Sequence, residues 1–127
     1  MAVMVELRAV LDAHPEQVAH ARHLVSEYLG DGADLHIDRE IAILLVSELV
    51  TNAVLHGISP FELRAQQSRA GLRVEVRDNN AAAAPVLRLG DGMAESGRGL
   101  QLVDTLADRW GWSEDGVCKV VWFEIGD

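Results

Sequence analysis

Glu48 and Asn52 stand four residues apart in a stretch, Asp38 to His56, that contains neither glycine nor proline. On a helix that spacing puts both side chains on one face, one turn apart. An amide oxygen is a hard ligand suited to Mg2+, an ion that keeps several waters and bridges to phosphate oxygens rather than sitting in a full protein cage. A carboxylate one turn away is able to polarise a hydroxyl or a water for attack on a phosphoryl group. Burying either group unpaired costs several kcal/mol. Isolated pairs of this kind are more often structural than functional, so their meaning depends on what else the chain carries.

Two further segments carry compatible chemistry. Asp78 closes the run Val74-Glu75-Val76-Arg77-Asp78, where a carboxylate held at a strand end accepts hydrogen bonds or simply starts a turn, as Asp followed by Asn commonly does. Gly97 and Gly99 bracket Arg98 just ahead of Leu100. At a helix start, residues without Cβ let backbone N–H groups approach an anion, and the helix dipole favours negative charge there. Arg98 suits a phosphate or one of the chain's many carboxylates.

The elements that must position these groups follow from periodicity. Val3, Val5 and Leu7 alternate with Met4, Glu6 and Arg8, the period of a strand with one buried face. Pro15 suits a first helical turn, and Val18, Ala21, Val25 and Tyr28 recur at helical spacing up to Gly30. The longest and central helix is expected from Asp38 to His56, with Leu44, Leu45 and Leu49 on neighbouring turns and Gly57 as a left-handed cap. His56 at its end suits the dipole and is given no chemistry. Phe61–Ala65 and Leu72–Val76 read as a hairpin around a turn containing Gly71. Asn79 to Ser96, with four consecutive alanines, reads as a loop. A third helix, marked by Leu100, Val103, Leu106 and Trp110, is expected to begin near Gly99, and Val117–Ile125 reads as an interior strand.

Three segments occur in one order: Ser47-Glu48-Leu49-Val50-Thr51-Asn52-Ala53-Val54-Leu55-His56-Gly57, then Val74-Glu75-Val76-Arg77-Asp78, then Gly97-Arg98-Gly99-Leu100. Together they resemble the ATPase domain shared by histidine kinases, gyrase and MutL, and most closely its bacterial anti-sigma-factor serine kinase branch. Leu102 to Trp112 and Lys119 to Glu124 are similar to the C-terminal half of actinobacterial members. Each motif alone is weak; three in the family's order are specific. The resemblance implies ATP and Mg2+ as cofactors, Glu48 as general base and Asn52 as the Mg2+ ligand. It assigns Asp78 to the adenine amine, and Gly97, Arg98, Gly99 and Leu100 to the phosphates. It implies a two-layer α/β sandwich of the Bergerat type, a mixed and mostly antiparallel sheet with helices on one face. The implied partners are a sigma factor and an anti-sigma antagonist, and relatives often dimerise, so a homodimer fits. One departure stands out: many relatives have glycine two residues after the adenine-binding Asp, where this chain has Asp78-Asn79-Asn80. That turn keeps a second reading open, a non-catalytic module that sequesters a regulator. An ATPase that drives a conformational change fits less well, for want of a second domain to move.

Composition bounds these readings. With 127 residues the chain is expected to form a single domain, residues 1–127. Eleven Lys and Arg against 20 Asp and Glu give a formal charge of -9, which repels phosphate backbones and anionic lipid, so no direct nucleic-acid or membrane partner is expected. The single cysteine, Cys118, forms no intramolecular disulfide, and a reducing compartment is expected. The first eleven residues interleave Glu6 and Arg8 with apolar residues, unlike a signal peptide or a membrane span, so the cytoplasm is the expected location.

Overall fold

The computed structural model describes residues 6–30, 37–56, 60–68, 70–79, 95–114 and 117–126. Chain order is β1 (Leu7–Leu11), α1 (Glu16–Leu29), α2 (Arg39–His56), β2 (Phe61–Ser68), β3 (Gly71–Asp78), α3 (Glu95–Leu106), β4 (Arg109–Glu114) and β5 (Lys119–Gly126). The strands form one sheet in the order β1-β2-β3-β5-β4. Every pairing among the described residues is antiparallel, the limiting case of the mostly antiparallel sheet expected.

Period-two alternation assigns the two faces of the sheet. Leu63 and Ala65 of β2, Leu72, Val74 and Val76 of β3, and Val121 and Phe123 of β5 are buried on one face. The helices cover that face, so the fold is a two-layer α+β sandwich. The opposite face carries Arg64, Arg73, Glu75 and Glu124, whose charged ends pair with one another across the strands. α2 is the central helix, packed on α1, α3, β3 and β5. Ala42, Leu45, Val46, Leu49, Val50 and Ala53 of α2 are buried, while Leu44 turns outward. Each fully buried Leu or Val stabilises the fold by roughly 1.5–3 kcal/mol relative to leaving it in water.

Local chemistry sets the helix ends. Asp38 Oδ1 accepts hydrogen bonds from the backbone N–H groups of Glu40 and Ile41, capping α2. Pro15 precedes α1, and Gly30, at φ 63°, ends it by donating its N–H to the Glu27 carbonyl. The expected cap at Gly57 and strand residues 3–5 lie outside the described residues, as does the alanine-rich stretch from 80 to 94.

Two sequence-based boundaries need correction. α3 begins at Glu95, ahead of Gly97, and not near Gly99; Glu95 and Ser96 therefore leave the expected loop. Glycine is a poor helix former, but the packing of α3 on α2, with Val103 fully buried, outweighs that preference. Trp110 belongs to β4 and not to α3. Its four-residue distance from Leu106 imitates a helical repeat, yet the Ala107 N–H closes the last helical turn on the Val103 carbonyl. The Asp108 N–H already bonds the Glu124 carbonyl and opens the sheet ladder.

Candidate functional site

Three connections bring the candidate residues to one end of the sheet. The Tyr28 hydroxyl accepts the Gln67 N–H at 3.1 Å, which holds the last turn of α1 at the C-terminal end of β2. Arg39 Nη2 donates to the Ser26 carbonyl and to Ser26 Oγ at 2.9 and 2.6 Å, so α2 begins at that same end. With 18 residues α2 then runs about 27 Å to the opposite end. His56 is followed by Phe61 after only four residues, and the β2–β3 register pairs Glu62 with Arg77. The C-terminal half of α2, with Glu48 near its middle and Asn52 one turn before its end, thus runs towards the end of β3 that carries Asp78.

α3 is anchored at the other end by its C-terminus. Trp110 Nε1 donates to Asp104 Oδ1 at 2.8 Å, and Asp108 Oδ2 accepts the Gly126 N–H at 2.6 Å. Connectivity therefore directs the first turns of α3, with Gly97, Arg98, Gly99 and Leu100, away from the Gly126 end and along the helix layer towards the Asp78 end. All four residues are helical. Their side chains, and that of His56, lie outside the described residues.

Burial sorts the side chains at this end. Asn52 is 4% exposed and Asp78 2% exposed, whereas Glu48 is half-buried. Asn52 follows Leu45 and Leu49 on the inward side of α2, and Asp78 follows Leu72, Val74 and Val76 on the helix-covered face of β3. A side-chain amide and a carboxylate are thereby held inside the layer that otherwise contains only apolar groups from these elements, at the place where helix and strand both end.

Lys119 is the residue that sequence reasoning missed. It is fully buried and stands directly across from Asp78 in the β3–β5 register, with Nζ 3.5 Å from Asp78 Oδ2. One step further out, Cys118 Sγ donates to Asn79 Oδ1 at 3.4 Å, tying the chain that leaves β3 to the chain that enters β5. The signal was present in the alternation of Lys119, Val121, Phe123 and Ile125, which puts a lysine in phase with the core. A lysine at such a position is almost never buried without an acidic partner.

The donor set fits the groups implied. A carboxylate offers about four acceptor sites, a chemistry suited to an amine donor. Among the described residues no group of three or more His, Cys, Asp and Glu side chains is arranged to hold a metal. The Asn52 side-chain oxygen is a hard donor of the kind that suits Mg2+, an ion that commonly completes its shell from phosphates and water.

A family model for the histidine kinase-like ATPase domain matches residues 11–125. The chain belongs to that family. Histidine kinase-like ATPase domains bind ATP, typically with Mg2+. Among solved structures, the chain is similar to the RsbU and RsbW domains of Rv1364c from Mycobacterium tuberculosis, at 19% identity and a TM-score of 0.70 over 97% of this chain and 32% of that one. It thus spans about a third of the length of that structure. It is also similar to the Acinetobacter baumannii histidine kinase AdeS, at 15% identity and a TM-score of 0.52, over 94% of this chain and 67% of that one. Both likenesses concern the fold. No curated protein matches the sequence. No described helix is long and apolar enough to cross a membrane.

Proposed function

We propose that this histidine kinase-like ATPase domain is an ATP-dependent protein serine/threonine kinase of the anti-sigma type, one that holds a sigma factor and phosphorylates an anti-sigma antagonist. The observation that carries the reading is the buried pair of polar groups, Asn52 and Asp78, at one end of the helix–sheet layer, in a chain that matches the ATPase family over residues 11–125. Similarity to a structure that includes an RsbW domain supports the choice of branch.

In this reading Asp78 accepts the exocyclic amine of adenine, and Gly97, Arg98, Gly99 and Leu100 receive the phosphates at the start of α3. Asn52 supplies one oxygen to Mg2+, which neutralises phosphate charge when bound. Glu48 removes the proton from the attacking serine hydroxyl. The serine oxygen bonds to the γ-phosphorus while the bond to the β,γ-bridging oxygen breaks, and ADP leaves. Protein partners, a cytoplasmic location, a single domain over residues 1–127 and a homodimer belong to the same proposal, and direct nucleic-acid contact does not. A formal charge of -9 favours basic protein surfaces over phosphate backbones.

Incubation with labelled ATP and candidate antagonist proteins should yield phosphoserine or phosphothreonine, and Glu48→Ala should lower transfer by about a hundredfold or more, the usual worth of a general base. Transfer retained in that variant rejects the mechanism. The Asp78-Asn79-Asn80 sequence and the Asn79 contact to Cys118 favour a second reading, a regulator-sequestering module with little turnover. Calorimetry with ATP and Mg2+ separates the two: neither heat nor a thermal shift removes the kinase and leaves the adaptor.

A further inference from the structure

The open face of the sheet holds a hollow that the nucleotide reading does not use. Gln66, Arg73, Glu124 and Arg109 stand in one row across β2, β3, β5 and β4. The next row outward on that face is Ser68, Gly71 and Gly126, and its two glycines put no side chain on the surface. The hollow left there measures about 230 Å3, and its lining includes Gln66, Ser68, Gly71, Arg73, Arg109 and Glu124. Pockets for drug-sized ligands run from about 300 to 1,000 Å3, so this one suits a single small group. It lies at the opposite end of β3 from Asp78 and on the opposite face.

Both guanidiniums in it are already oriented. Arg73 donates through Nε to Glu75 and through Nη1 to Glu124, and its guanidinium lies 4.2 Å from the Trp122 ring centroid. Arg109 donates through Nε to the other Glu124 oxygen. Among the described residues, neither terminal nitrogen of Arg109 nor Nη2 of Arg73 has a hydrogen-bond partner. Two cations against one anion leave the lining with an excess positive charge, in a chain whose formal charge is -9.

We propose that this hollow is a binding site for one carboxylate group, gripped by the Nη1–Nη2 edge of Arg109 and by Nη2 of Arg73. A guanidinium edge presents two parallel N–H donors to a planar carboxylate, and a fork fixed beforehand by Glu124 loses little freedom on binding. A carboxylate also balances the excess charge of the lining. A phosphate group, with a charge of about -2, would leave an anionic excess beside Glu124. A small organic acid and an acidic side chain of a protein partner offer this same group. The inference needs neither ATP nor phosphoryl transfer, so it stands or falls apart from the proposed function.

The test follows the Nε–H resonances of Arg73 and Arg109 in the full chain at constant ionic strength. One arm titrates succinate, a free acid; the other titrates acetyl-Gly-Glu-Gly-amide, whose only carboxylate is a side chain. At least one should shift both resonances and saturate in the millimolar range, and the tighter of the two names the source. Arg109→Gln should weaken that binding about tenfold or more, the worth of a charge-assisted hydrogen bond. Arg109→Lys, which keeps the charge and loses the fork, should weaken it as much. Arg8→Gln, on the same face but outside the hollow, should leave it unchanged. Shifts that never saturate, that chloride reproduces, or that inorganic phosphate produces at lower concentration overturn the inference. So does binding that survives in Arg109→Gln or Arg109→Lys.

Discussion

β3 and β5 carry ion pairs on both of their faces, and the two sets differ in burial and in contact distance. On the helix-covered face, Asp78 and Lys119 are 2% and 0% exposed, with Lys119 Nζ 3.5 Å from Asp78 Oδ2. On the open face, Arg73 pairs with Glu75 at 2.8 Å and with Glu124 at 2.7 Å, and Arg109 reaches the same Glu124 at 2.7 Å. These side chains are 23 to 56% exposed. The open network has shorter contacts, yet solvent screens each one and leaves exposed pairs worth little. The buried pair has a longer contact, but breaking it from one side changes the charge of a place that water does not reach. Distance alone is therefore a poor guide to which pair matters.

The largest effect should come from breaking the buried pair on one side. Lys119→Met is expected to cost about 3–5 kcal/mol in denaturant unfolding, because it removes one partner of a buried ion pair. Adding Asp78→Asn to it should recover most of that loss. If the double variant is as unstable as the single one, the two residues are not coupled as described.

The next effect tests the register that keeps the two faces apart. Gly71 has φ 145° and stands across from Gly126, at φ 111°, and a Cβ on Gly71 would lie 2.0 Å from the Ile125 carbonyl oxygen. Gly71→Ala should cost at least roughly 1–3 kcal/mol through strain and displaced backbone. A loss below 1 kcal/mol would mean that the strands part easily there, and that the Asp78–Lys119 register is held from elsewhere.

On the open face, Arg73→Ala removes contacts to Glu75 and Glu124 together with a guanidinium 4.2 Å from the Trp122 ring centroid. Its cost should stay within about 1 kcal/mol and shrink in 0.5 M salt, the ~4 Å Debye length there screening such pairs. A larger, salt-insensitive cost would erase the contrast between the faces.

The smallest effect is in pH. Hydrogen bonds from Arg109 first, and then from Arg73, hold the Glu124 carboxyl below its ordinary value of 4.5. A carboxyl depressed in the fold contributes stability that is fully present above that value, and the contribution is lost as pH falls through the folded-state value. Glu124→Gln should therefore lower the melting temperature slightly at pH 7. The difference from the unaltered protein should vanish in acid well below pH 4.5. A difference that persists there means that Glu124 acts through packing.

Much of this architecture was legible beforehand because it rests on local rules. Asp38 capping α2, Gly30 closing α1 and the alternation of Leu72, Val74 and Val76 follow from chemistry within a few residues. The hairpin from β2 to β3 and the interior position of β5 follow from the same patterns. The misplaced start of α3 and the assignment of Trp110 have one cause. Local preference spoke for one structure, while contacts with α2 and with Glu124 imposed another. For the candidate site, residue types and motif order singled out Glu48, Asn52 and Asp78, whereas the alternation of β5 puts Lys119 in phase with the core but does not name the carboxylate it faces.

The sequence by itself determined most of the helices and strands, β4 excepted, their buried faces and the segments bearing the ATPase resemblance, since periodicity and motif order are properties of the chain. Only the tertiary structure decided that Asp78 faces Lys119, that Asn52 is buried at the same end of the sheet, and that Trp110 belongs to a strand. Those facts depend on antiparallel register between residues about 40 positions apart and on the direction of α2 across the sheet. No spacing within a single segment encodes either one.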